Sequence, residues 1–253
     1  MVSVRPIEFR SCGICLRGRF YLPDELDQSQ KQPIVMMATG DGINGSRSST
    51  WPPLINAMTE ISIPVFIFDF YGLGDSDGEL GRFSTTVAIS NLEDAIAVVK
   101  QEPWVDTTRI GILGSSFGGA ISLITQARHR VFKILGLKSP VSFLPESYET
   151  EVGDNLTTWK TKGTIDEIKF HYNAYLDCIK YNIYDLINGL DTPTLIVHGE
   201  ADTVVPIQQS RRLSCLLANS NLRSLPGVNH GYKEENALTE LIGCCQKFFR
   251  MNL

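Results

Sequence analysis

Histidine is scarce in this sequence: 253 residues contain only four. Cysteine is sparse too, with six, and Cys244 and Cys245 are adjacent. A disulfide-stapled scaffold would need a denser set. Cys12 and Cys15 form a lone C-x-x-C without the second pair that a tetrahedral zinc centre wants. Gly13 between them marks a hairpin turn, not the helix opening of a redox pair, so the thiols read as reduced. No apolar run approaches the roughly 20 residues that span a bilayer. The segment from Met1 to Glu8 lacks an apolar core of signal-peptide length, and the expected location is the cytoplasm. The net charge of −5 and a pI near 5.4 offer no basic surface for nucleic acid or an anionic membrane. Internal repeats and low-complexity tracts are absent. What is present is ordinary for a soluble globular chain, with 43% hydrophobic and 20% charged residues. The length fits one large α/β domain or two small ones.

The hydrophobic pattern changes along the chain. Pro6 to Arg10 and Cys15 to Leu22 alternate polar and apolar residues, as a half-exposed antiparallel hairpin does. From Ile34 the runs become continuously apolar: Ile34 to Ala38, Val65 to Phe68, Ile110 to Leu113, Ile134 to Leu137 and Leu195 to Val197. Such runs suit strands buried on both faces of a parallel sheet. Helical spacing lies between them. Leu92, Ala95, Ile96 and Val99 fall on one face, with Ser84 or Thr85 as a cap. Trp51 to Ile61, Gly119 to Arg130, Pro206 to Ala218 and Glu234 to Arg250 also read as helices, with Pro206 at a first helical position. The alternation predicts a mostly parallel, doubly wound α/β sheet with an N-terminal antiparallel hairpin. Pro140 to Leu190 is too long for an ordinary connection. It holds five of the eight tyrosines and is expected to be a small inserted cap, dividing the chain into a core of 1–139 and 191–253 and a cap of 140–190.

Gly114-Ser115-Ser116-Phe117-Gly118 stands between the run ending at Leu113 and a helical pattern. A G-x-S-x-G at a strand-to-helix turn is a nucleophile elbow: small neighbours allow a turn tight enough to expose the serine hydroxyl. The helix behind it directs its positive end at the site. The same spacing recurs at Gly74-Asp75-Ser76-Asp77-Gly78, but there a polar loop comes next instead of a helix. Asp75 and Asp77 would also oppose an alkoxide or oxyanion there. Ser116 is therefore the expected nucleophile and Ser76 a loop residue.

A serine nucleophile needs a base and a group that orients the base. With four histidines the base is found by elimination. His129 sits among arginines at a helix end, His171 lies in the cap, and His198 ends a buried strand. His230, in the small-residue loop Gly227-Val228-Asn229-His230-Gly231 past the last strand, can reach a nucleophile. The acid should lie in the loop after Leu195 to Val197, where Glu200 and Asp202 compete. Asp202 sits deeper in the turn and its short side chain suits a rigid hydrogen bond.

The order Ser116, Asp202, His230 and the stretches Gly-Ser-Ser-Phe-Gly-Gly, His-Gly-Glu-Ala-Asp-Thr-Val-Val-Pro and Asn-His-Gly resemble the three motifs of α/β-hydrolase serine enzymes. The resemblance covers almost the whole chain. The loop Phe68 to Gly78 is similar to that of feruloyl and cinnamoyl esterases, dienelactone-hydrolase-like and serine-aminopeptidase-like groups, and those esterases carry a short cap where 140–190 lies. The resemblance implies an α/β-hydrolase fold, with an oxyanion hole from the N–H groups of Phe117 and of Asp41, or Gly42 if the Asp41 carboxylate turns inward. Where the family has His-Gly, this chain has Thr39-Gly40. It also implies a serine hydrolase that cleaves a small ester through an acyl-enzyme, requiring no metal or organic cofactor. A thioesterase or an aminopeptidase-like amidase, with cap acids such as Glu146, Glu149 and Glu151 holding an amino terminus, is the alternative within enzymes. A ligand-binding protein on the same fold is the alternative outside them. Tyr172 and Tyr175, on one helical face, are candidate substrate contacts, although such a stripe also suits cap packing. The sequence does not choose an oligomeric state.

Overall fold

The computed structural model describes residues 2–165 and 170–253. Eight strands form one sheet: β1 (Val2–Ser11), β2 (Ile14–Pro23), β3 (Gln32–Ala38), β4 (Val65–Phe68), β5 (Val105–Ser115), β6 (Ile134–Lys138), β7 (Thr194–Gly199) and β8 (Ser220–Leu225). Their spatial order is β1-β2-β4-β3-β5-β6-β7-β8. The β1–β2 hairpin turns at Cys12 and Gly13, both at positive φ. β2 joins β4 antiparallel, and every later pairing is parallel. The order reverses at β3, beside β5. In open α/β sheets ligands sit beyond the strand ends at such a reversal.

The continuous apolar runs have a direct consequence. In β3, Ile34, Met36 and Ala38 enter one core, while Val35 and Met37 enter the other. Successive side chains of a strand point to opposite faces, so a strand covered twice must be apolar throughout. Helices α1 (Trp51–Glu60) and α9 (Ala237–Asn252) cover one face. Helices α2 (Thr85–Gln101) and α3 (Phe117–His129) cover the other, and α8 (Ile207–Leu216) packs Leu213 into the same core. The Ser84 hydroxyl accepts from Val87 N and caps α2. Three helix starts differ from the sequence pattern. Helix α9 begins at Ala237, three residues after Glu234. Pro206 is the cap residue of α8, not its first turn. Helix α3 begins at Phe117, two residues before Gly119, because the elbow fixes its start despite two poor helix formers.

Among the described residues four short α-helices lie between β6 and β7: α4 (Leu144–Val152), α5 (Leu156–Lys162), α6 (Tyr172–Cys178) and α7 (Ile183–Leu186). Residues 166–169 of the expected insertion lie outside the described residues. An aromatic chain ties these helices to the elbow: Phe117 packs on Phe83, Phe83 stacks on Phe170, and Phe170 meets Tyr148. Asp177 of α6 accepts from Thr86 N at 2.7 Å and Thr86 Oγ1 at 2.8 Å, latching the insertion to the start of α2. Among the described residues no helix is long and apolar enough to cross a membrane.

Candidate active site

Ser116 stands between the end of β5 and the start of α3 at φ 53, ψ −120. A non-glycine residue at positive φ is strained, and such strain collects at functional sites. The surroundings over-determine it. Ser116 N donates to Lys138 O at 2.9 Å, and Ser116 O accepts from Gly119 N and Val141 N. The flanking glycines have no room for a side chain. A Cβ on Gly114 would lie 2.6 Å from Ser122 Oγ, and one on Gly118 would enter the carbonyls of Ala38 and Thr39. The elbow is therefore packed directly on the loop after β3. As the first residue of α3, Phe117 has no intrahelical acceptor for its N–H.

The imidazole arrives from the other side. His230 Nδ1 donates to Asp202 Oδ2 at 2.7 Å. The Asp202 carboxylate is fully buried. Its Oδ1 also accepts from Val204 N at 2.9 Å and Val205 N at 2.8 Å. Burial alone would raise its pKa, but bonds from His198, His230 and the Val205 amide overcome this and hold it well below the usual carboxylate range. An ionised carboxylate only accepts, so Nδ1 carries the proton and Nε2 keeps its lone pair. Glu200 is exposed and outside this network. Gly199 is pressed against the Val228 carbonyl, leaving no space for a Cβ, which keeps the loops of Asp202 and His230 together.

Four supporting residues were not read from the sequence. His198 is completely buried, accepts from Ser210 Oγ at 2.7 Å, donates to Val205 O at 3.0 Å and reaches Asp202 Oδ2 at 3.3 Å. Its place four residues before Asp202 was the available signal. Asn229 Oδ1 accepts from His230 N at 2.7 Å and Thr203 N at 3.2 Å, stapling the two loops. The Tyr232 hydroxyl donates to Val197 O at 2.9 Å. Lys138, at the end of β6, donates to His230 O at 3.2 Å and sits 4.4 Å from the centre of the Tyr232 ring.

Ser116, His230 and the loop Gly40-Asp41-Gly42 line one cavity of about 310 Å³. Among the described residues Ser116 Oγ and His230 share this cavity without a hydrogen bond between them; in unliganded enzymes such contacts tighten only on substrate binding. All lining residues come from core segments. Tyr172 and Tyr175 are not among the residues lining this cavity. The two rings stack on each other at 5.5 Å and pack edge-on against Trp159, and the Tyr175 hydroxyl donates to Glu149. The stripe holds the inserted helices together and is not part of the cavity wall. The other G-x-S-x-G is equally structural. Ser76 Oγ donates to Asp69 O at 2.6 Å and accepts from Arg17 N at 2.9 Å, while Asp75 and Asp77 pair with Arg19 and Arg17.

The profile of the prolyl oligopeptidase family matches residues 84–253, more than half of the sequence. The chain belongs to the prolyl oligopeptidase family. The matched region of this family member holds Ser116, Asp202 and His230. The family member is 24% identical over 246 residues to an uncharacterized 31.7 kDa protein of the traX-finO intergenic region of Escherichia coli, covering 82% of this chain and 83% of that one. To the uncharacterized protein YfhR of Escherichia coli O157:H7 it is 27% identical over 218 residues, covering 85% and 68%. Est1E from Butyrivibrio proteoclasticus, whose structure holds ferulic acid, superposes with a TM-score of 0.85 at 23% identity over 97% of this chain and 98% of that one. The fold is that of the α/β-hydrolases, and the protein is a hydrolase of that superfamily.

Proposed function

We propose that this prolyl oligopeptidase family member is a serine carboxylesterase acting on small esters. The carrying observation is the Asp202–His230 hydrogen bond opening on the same cavity as a strained elbow serine. His230 Nε2 takes the proton of Ser116 as Oγ bonds to the ester carbonyl carbon. Asp202 stabilises the imidazolium. The N–H groups of Phe117 and Asp41 hold the oxyanion. The carbonyl then re-forms, and the alkoxide leaves as an alcohol with the proton from His230. Water, deprotonated by His230, attacks the acyl-enzyme and releases the acid, returning Ser116 Oγ its proton. Residues 140–190 serve as a cap on the core of 1–139 and 191–253, and Tyr172 and Tyr175 are assigned to its packing.

Family membership favours amide cleavage as the second reading. An aminopeptidase needs acids facing the substrate amine. Glu146 accepts from Gln209 and Glu149 from Tyr175, neither lines the cavity, and the carboxylate that does, Asp41, is assigned to the oxyanion loop. Ester cleavage is therefore preferred. A panel of p-nitrophenyl esters, acyl thioesters and aminoacyl anilides tests the choice. The expected result is the highest kcat/KM on short esters, lost in Ser116→Ala. Turnover of anilides alone would replace the esterase reading with a peptidase one.

A further inference from the structure

The residues lining the cavity fall into two groups. Gly40, Asp41 and the elbow surround the site of attack. The second group is polar and basic: Asn44, Ser48, Ser49, Thr50, Lys138 and Lys233. Lys138 is the unusual member. It is 4% exposed, and its Nζ has one short acceptor, the His230 carbonyl at 3.2 Å, with Ser115 Oγ at 3.5 Å. Among the described residues no carboxylate lies within 4 Å of it, although the charge of Asp202 acts on it from farther away. Burial pulls this amine down to about 8, so it is still mainly an ammonium at neutral pH. A buried cation without a contacting anion is costly, and here the residue that carries it lines the cavity.

Helix α1 adds to the same field. It starts at Trp51 on the cavity wall, its first turn holds no acid, and Thr50 gives no side-chain cap. Pro52 and Pro53 have no N–H to offer, so the helix contributes its positive end rather than hydrogen bonds. The hydroxyls of Ser48, Ser49 and Thr50 and the amide of Asn44 supply donors beside it. Exposed Lys233 adds a second cation. The one carboxylate in the wall, Asp41, belongs to the oxyanion loop.

We propose that this basic half is a subsite for a carboxylate carried by the substrate and seated on Lys138, so that preferred substrates are esters bearing a free acid a few bonds from the scissile carbonyl. The inference rests on the hydrolase reading of Ser116 and narrows its substrate class.

Two matched pairs test it. Mono-p-nitrophenyl succinate against p-nitrophenyl butyrate places the acid on the acyl side. Butyryl glycolate against ethyl butyrate places it on the alcohol side. At least one acidic partner should exceed its neutral partner about tenfold in kcat/KM at pH 7, a discrimination that corresponds to about 1.4 kcal/mol. That ratio should decline as pH rises past about 8 and Lys138 loses its charge. Asp202, Tyr232, Cys245, His230 and Lys233 also face this region. Asp202 and His230 act on both members of a pair through the proposed triad. Lys233 adds its charge to the acidic member alone and is present in Lys138→Met as well, and burial keeps the Tyr232 and Cys245 protons in place there. Lys138→Met should erase the preference and Lys138→Arg retain it. Because the ratio is taken within one variant, lost folding or a displaced His230 cancels. No acidic preference in either pair, or one unchanged in Lys138→Met, overturns the subsite. If no ester is turned over faster than by Ser116→Ala, the hydrolase reading fails separately. Calorimetric titration with monomethyl succinate then decides the subsite: binding lost in Lys138→Met supports it, and no binding overturns it.

Discussion

Two stretches of this chain share the spacing Gly-x-Ser-x-Gly and end as opposites. At 114–118 the serine sits at positive φ behind a sheet strand, with a helix dipole behind it and an imidazole sharing its cavity. At 74–78 the hydroxyl is spent within the loop, bonded to Asp69 O and Arg17 N, and its acidic neighbours are paired with Arg17 and Arg19. The segment on the C-terminal side of each motif makes the difference. A helix places N–H groups and positive potential where an oxyanion forms, whereas a polar loop uses the same residues to knit itself to the N-terminal hairpin.

The comparison breaks most cleanly by removing each hydroxyl. Ser116→Ala should lower kcat by about 10⁶-fold if the triad acts as a unit. Ser76→Ala should leave kcat within a few-fold and reduce unfolding stability by about 1–3 kcal/mol, because Arg17 N loses its acceptor. Steady-state kinetics and urea unfolding on both variants read the contrast. Next comes the proposed orienting acid. Asp202→Asn should cost about 10⁴ in kcat by disturbing the imidazole tautomer. Glu200→Gln, exposed and outside the network, should leave kcat close to wild type.

A smaller effect sharpens the role of the elbow glycine. A Cβ at Gly118 must push the Ala38 and Thr39 carbonyls away, displacing the loop proposed to supply the second oxyanion donor. Gly118→Ala should lower kcat by about 10²–10³, the usual cost of one lost donor, with KM changing less. The mildest expectation concerns pH and stability. Asp202 titrates well below the usual carboxylate range in the folded protein, so the unfolded chain binds the proton more tightly. Its stabilising contribution is complete above about pH 4 and is lost as the pH falls toward the folded pKa. Wild type should lose unfolding free energy more steeply below about pH 4 than Asp202→Asn, as urea titrations at stepped pH would show.

Much of this architecture is legible in the sequence because its causes are local. A strand buried on both faces has to be apolar throughout, so β3 to β7 announce themselves. A tight strand-to-helix turn has to carry small residues, so the elbow does too. Asp202 sits deeper in its turn than Glu200, and the fold buries its carboxylate against His230 while Glu200 is exposed. The supporting residues depend instead on tertiary neighbours. Lys138 looks like a surface lysine ending a strand, and only the arrival of the His230 loop above it makes it a buried donor. His198 reads as a buried strand-end histidine, and only the fold puts Asp202 beside it. Tyr172 and Tyr175 show one helical face whether that face meets a substrate or Trp159, and only the fold reveals the contact with Trp159.

The central claim is that Ser116, and not the equally spaced Ser76, is the activated hydroxyl. Labelling the folded protein with a fluorophosphonate and mapping the modified peptide by mass spectrometry tests this directly. The account predicts stoichiometric modification at Ser116, lost in His230→Ala and absent after unfolding. Modification at Ser76, or none on folded protein that remains intact, would contradict it.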